Sequence, residues 1–239
     1  MGLARPAYSL TTTKDVHSWF KCILHRAMAV RKIFPREGNK HCRLCDCAIE
    51  NIVHFTECSQ LKSTFAPFTE LLTNFGVSGP FDAATLLMGC IPANDNESYT
   101  TIPKPIFSLL LILWKFIILM LTQVDTCNFK YSQEQVWRLT LTRFSERCNA
   151  LHYSHHNKIR QAINRDSPPP NSAKLTSILA PVARVEKDGK FTYSPHFTKL
   201  AEHYLGDKLV LDDKSSPLQV SDPQPDPNPG FIQFVKASR

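Results

Sequence analysis

Residues 106–121 read IFSLLLILWKFIILML, the most apolar run of the chain, and how this run is housed decides the fold. It follows Pro105, a residue suited to the first turn of a helix. A membrane-spanning helix needs about 20 mostly apolar residues. This run has 16 and carries Lys115 near its middle, which costs roughly 2.5–3.5 kcal/mol on insertion scales. The expectation is therefore a buried core helix, with Lys115 reaching out along its aliphatic stem, and no membrane span.

Working outward, helical periods dominate. Ser132 and Gln135 form an S-x-x-Q capping box before Val136, Leu139, Phe144, Cys148 and Leu151, predicting a long helix that continues to Arg165. Upstream, Leu61, Phe65, Phe68, Leu71, Leu72 and Phe75 keep helical spacing up to Gly76, with Pro67 as a candidate kink. A short helix is predicted over residues 82–90. Thr12 and Asp15 open another, with Val16, Phe20, Ile23, Leu24 and Ala27 on one face, running toward Ile33 and stopping before Pro35. Residues 91–105 have loop chemistry and 166–173, DSPPPNSA, read as a linker. Asp188-Gly189 is the two-residue signal of a β-hairpin, and a short helix from His196 to Tyr204 precedes Gly206. The sequence thus predicts a mainly α protein. A small zinc-organised helical module (14–76) precedes a helical region (81–165), then a linker, hairpin and short helix (166–206), and a flexible, disordered tail (207–239).

The chemistry is concentrated in residues 42–58, CRLCDCAIENIVHFTEC. A C-x2-C turn aims two thiolates at one ion, and an H-x3-C pair at i and i+4 presents imidazole and thiolate on one helix face. Cys42, Cys45, His54 and Cys58 are therefore the candidate ligands of one Zn2+, four N/S donors closing a tetrahedron. Such a site has no position for activated water and is structural, contributing binding energy to local folding. The spacing leaves open whether Cys47 or His41 replaces one of the four, or whether the thiols are simply buried. Cys22, Cys90, Cys127 and Cys148, set among apolar neighbours, read as small buried hydrophobes. His152, His155 and His156 lack a positioned carboxylate and an H-E-x-x-H pattern, and read as a solvated helix face.

With 28 Lys+Arg against 21 Asp+Glu, the net charge is +7 and the pI near 9.0. That excess favours a polyanionic partner, nucleic acid first and an anionic membrane second. Basic residues 14, 21, 26, 31, 32, 36, 40 and 43 oppose acids 15, 37 and 46, a net +5 beside the cysteines. Arg26, Arg31, Lys32, Arg36, Lys40 and Arg43 are the candidate phosphate contacts; the bland reading of the run is a solubilising face. Phe55 is a candidate for base stacking, with a core role the stronger expectation. Residues 1–13 hold no apolar run of signal-peptide type, so an intracellular, reducing compartment, nuclear or cytoplasmic, is expected.

The stretch from Trp19 to Leu72 resembles the zinc-binding region C-terminal to the polymerase of non-LTR retrotransposon reverse transcriptases. The shared pattern is an aromatic and basic helix, a C-x2-C, an acidic residue (Glu50) four positions before the histidine, and a terminal cysteine followed by an aromatic helix. Family members usually show H-x4-C, whereas this chain has H-x3-C. The resemblance covers 54 of 239 residues and implies association with RNA or target DNA beside a reverse transcriptase body. It does not confer polymerisation: no Y-x-D-D or F-A-D-D motif occurs, and Asp212-Asp213 lacks a hydrophobic strand context, so no enzyme is expected. The competing expectation is a protein-interaction or scaffold module that docks through helix 106–121; a self-contained domain would instead bury that helix.

Overall fold

The computed structural model describes residues 10, 13–24, 41–92, 99–127, 132–168, 170–186 and 191–206. The run at 106–121 lies within helix α5 (Lys104–Cys127), which packs along α6 (Gln133–Asn164). Ile106, Leu109, Leu110, Leu113, Trp114, Ile117 and Leu121 are fully buried, while Lys115 is exposed. A helix apolar on nearly every side needs cover from its neighbours, and here the chain itself buries most of it, leaving Phe107, Phe116, Ile118 and Leu119 half-buried. By length and composition alone α5 could also cross a membrane.

Among the described residues, four helices precede α5: α1 (Thr13–Leu24), α2 (Ile52–Glu57), α3 (Ser59–Asn74) and α4 (Ala83–Met88). Trp114 joins α1, α3 and α4 to α5. Its ring packs on Trp19 of α1 and Phe65 of α3, at centroid distances of 5.3 and 5.1 Å. Its indole N–H donates to Leu86 O of α4 at 2.6 Å, and the Trp19 indole donates to Leu87 O at 2.7 Å. A buried indole needs an acceptor, and both have one. Pro67 sits inside α3 and cannot donate to Ser63 O, four residues back. Gln133 Nε2 supplies a donor to that carbonyl at 2.8 Å, and Trp137 Nε1 donates to the next, Thr64 O, at 2.9 Å. The proline thereby becomes a docking point for α6. Gly76, at φ +80°, closes α3: its N–H bonds to Thr73 O and that of Val77 to Leu72 O, the Schellman pattern.

The capping box opening α6 is formed as expected, with Gln135 N–H to Ser132 Oγ at 3.1 Å and Ser132 N–H to Gln135 Oε1 at 2.8 Å. Two expectations are corrected. Residues 91–105 are not all loop: β1 (Cys90–Pro92) pairs antiparallel with β2 (Tyr99–Thr101), the β-branched and aromatic YTT triplet supplying strand propensity inside turn-rich sequence. The stretch 166–173 is not all linker. Asn171 Oδ1 accepts from Ala173 N–H at 2.8 Å and caps α7 (Ser172–Leu179), which buries Leu175 and Leu179. Beyond it β3 (Ala183–Val185) pairs with β4 (Phe191–Tyr193), Val185 opposite Phe191; the Asp188-Gly189 turn lies outside the described residues. The last described element, α8 (Pro195–Leu205), packs on α6 and α3. The segments 14–76, 81–165 and 166–206 thus pack on one another through their described residues. Residues 207–239, and the expected course of the first helix beyond Leu24, lie outside the description.

Candidate metal centre

The loop 41–50 folds back on itself. Cys42 N–H donates to Ala48 O at 2.7 Å, Asp46 N–H to Cys42 O at 2.8 Å, and His41 bridges to Ile49. Asp46 takes the left-handed conformation (φ 54°) that the turn demands, one that Asp tolerates better than most residues. This turn places Cys42 and Cys45 together. Asn51 then caps α2, its Oδ1 accepting from His54 N–H at 2.8 Å. Ile52 and Phe55 are buried on this helix. Cys58 lies at the junction where α2 ends and α3 begins, one turn beyond His54.

The donor atoms of Cys42, Cys45, His54 and Cys58 all lie within 4.8 Å of one another. Cys42 Sγ is 3.9 Å from Cys58 Sγ, and Cys45 Sγ is 3.2 Å from His54 Nε2. A tetrahedron with metal–sulfur bonds of about 2.3 Å has sulfur–sulfur edges of about 3.8 Å, so the spacing is that of ligands around one ion rather than of a disulfide. This is the one cluster of three or more such donors among the described residues. The two alternatives fall outside it. Cys47 is exposed, with its thiol directed to Cys45 O at 2.9 Å, and His41 is exposed with its Nδ1 3.8 Å from Asp46.

Burial pushes the Cys58 thiol up to about 12 and also raises that of Cys42. For Cys45 the slight burial works upward too, but the Cys47 backbone N–H, His54 and the neighbouring thiols together bring it down to about 6. A metal ion displaces the thiol protons when it binds, so metal uptake releases protons.

Of the candidate phosphate contacts, Arg26, Arg31, Lys32, Arg36 and Lys40 lie outside the described residues. Arg43 does not fit the expectation. Its side chain is 2% exposed, paired with a Glu50 side chain that is 1% exposed. Arg43 Nε donates to Glu50 Oε2 at 2.8 Å and Nη2 to Oε1, while Nη1 donates to Leu121 O of α5 at 3.2 Å. Each guanidinium nitrogen has a partner within the fold and the side chain is shut off from solvent, so it does not present itself to a phosphate. No sequence pattern announces that partnership, because an Arg between two cysteines reads as surface charge. Phe55 is fully buried, a core residue rather than a stacking platform. Among the histidines, His155 is buried with Nε2 3.2 Å from Ser172 Oγ, and His152 packs against Phe191 at 5.4 Å. That face of α6 is partly covered by α7 and β4 rather than simply solvated.

The fold and site together define a mainly helical protein with a Cys3His cluster able to hold a metal ion. The chain matches no family model, no curated protein and no solved structure.

Proposed function

We propose that Cys42, Cys45, His54 and Cys58 hold one structural Zn2+ that organises a basic, nucleic-acid-binding module. It resembles the C-terminal part of a non-LTR retrotransposon reverse transcriptase and lacks the polymerase active site. The observation that carries the metal reading is the convergence of one nitrogen and three sulfur donors within 4.8 Å, a donor set that selects zinc over harder cations and leaves no coordination position for water. The nucleic-acid reading rests on the basic run leading into the loop, now without Arg43, and on the resemblance. The partner is RNA or DNA, beside a reverse transcriptase body, in an intracellular, thiol-reducing compartment. The scaffold reading is less favoured, since most apolar positions of α5, Ile106, Leu109, Leu110, Leu113, Trp114, Ile117 and Leu121 among them, are buried by the chain itself.

The first test is zinc content of purified protein by mass spectrometry. One zinc per chain, lost in His54→Ala and Cys58→Ala, supports the site; well-folded wild type without zinc overturns it. RNA and duplex DNA binding is then measured against salt. If Arg26, Arg31, Lys32, Arg36 and Lys40 each neutralise one phosphate, log K falls with log salt at a slope of about −4.5 on duplex, and charge-neutral substitution of the five abolishes binding. Binding that survives those substitutions overturns the assignment.

A further inference from the structure

We infer that Glu50 is a positioning residue for the metal site: paired with Arg43, its carboxylate fixes the C-x2-C loop against the helix that carries His54, setting ligand spacing before a metal arrives. This rests on the reading that the cluster binds a metal.

Glu50 stands next to Asn51, the cap of α2, so its main chain moves with the His54–Cys58 half of the site. Its side chain reaches across to the other half. Glu50 Oε2 accepts the backbone N–H of Arg43 at 3.1 Å as well as Nε at 2.8 Å, and Oε1 accepts Nη2. Arg43 immediately follows the first ligand, Cys42. The loop's own bonds, Cys42 N–H to Ala48 O and Asp46 N–H to Cys42 O, set its shape. The Arg43–Glu50 pair sets where that shape sits relative to α2, and Arg43 Nη1 on Leu121 O ties both to the core helix α5.

Stability alone does not account for such a pair. Replacing a buried ion pair by apolar side chains of similar volume is often neutral or stabilising, because desolvation offsets the attraction. What apolar residues do not reproduce is direction: a bidentate guanidinium–carboxylate contact holds two segments at one distance and one angle. Partners beyond the ligands that orient a metal site typically change affinity by about 10–100-fold when removed.

The test uses the full chain with Co2+ and Zn2+ as probes, comparing wild type, Glu50→Gln and Arg43→Met/Glu50→Met. The double variant removes both charges and is expected to keep wild-type helical circular dichroism. Its Co2+ and Zn2+ affinities, by chelator competition, are expected to fall about 10–100-fold, with a Co2+ absorption spectrum distorted from the wild-type tetrahedral form. Glu50→Gln keeps one acceptor oxygen but leaves the buried Arg43 charge without its counter-charge and should lose at least as much affinity; Glu50→Asp, which keeps the charge but shortens the reach, serves if neither of the others folds. Unchanged affinity and spectrum in a folded variant overturn the inference while leaving the metal reading intact. Failure of wild type to take up Co2+ overturns the metal reading and this inference with it.

Discussion

Phe55→Ala is the substitution that most directly probes how the metal centre is attached to the body. Phe55 lies between His54 and Cys58 and is completely buried. It sits on α2, a six-residue helix too short to persist without tertiary support. A ring of this kind buries about 150 Å² or more, and at roughly 25 cal/mol per Å² its loss costs about 4 kcal/mol. Large-to-small core changes of this type cost about 3–5 kcal/mol, the residual cavity included. A domain stable by about 5–15 kcal/mol survives this but is visibly weakened. Urea unfolding of the metal-saturated protein, followed by circular dichroism, should show a loss of about 4 kcal/mol. Nucleic-acid affinity, measured where the variant is still folded, should not change. A stability loss below about 1 kcal/mol, accompanied by weakened nucleic-acid binding, would refute this reasoning and make the ring an exposed stacking surface.

Two further perturbations test the body of the fold. Burial lowers the pKa of His155 below its ordinary 6.5, with His152, Lys158 and His156 adding repulsion. The unfolded chain therefore binds more protons than the folded one in the window just below and around 6.5, so stability rises with pH through that window and falls as the solution is acidified. The thermal midpoint of wild type should drop between about pH 7.5 and about pH 5 by more than that of His155→Gln; parallel profiles would exclude His155 as the source. Gly89 follows α4 at φ +66°, and a Cβ there would lie 2.7 Å from Phe107 Cδ2 and 3.1 Å from Ile102 Cγ1. Gly89→Ala combines left-handed strain with overpacking and should cost about 2–4 kcal/mol in urea unfolding; a loss under about 1 kcal/mol would mean that Phe107 moves aside freely.

Legibility from the sequence followed the range of the interactions involved. The long helices were readable because periodicity and caps are local. Ser132 and Gln135 formed the box their spacing announced, and Gly76 and Gly206 follow the helices they were expected to end. The metal cluster was readable for the same reason, since a C-x2-C turn and an H-x3-C helical pair each fix geometry over a few residues. What the sequence hid was non-local. Nothing near Arg43 shows that Leu121, 78 residues away, will accept its Nη1. Nothing near Pro67 shows that Gln133 and Trp137 will donate to the Ser63 and Thr64 carbonyls of α3. The short elements β1, β2 and α7 are not legible in the sequence because three-residue strands and an Asn-capped helix inside a proline-rich run carry weaker signals than the turn residues around them.

The division of labour between core and metal follows from where each is placed. Trp114, Trp137, Phe65, Phe68, Phe144 and Phe197 build a buried aromatic interior across α3, α5, α6 and α8, beyond the four candidate ligands in sequence. The cluster is joined to that interior at a few points: Phe55, Cys42 and Cys58, all fully buried, and the Arg43 bond to Leu121 O. Metal removal should therefore loosen the 41–58 segment without dissolving the helical body. On the proposed reading that segment is what the basic residues 26–40 lead into. Zinc then has a local task, holding one end of a charged stretch at a fixed position on a body that folds by its own hydrophobic contacts.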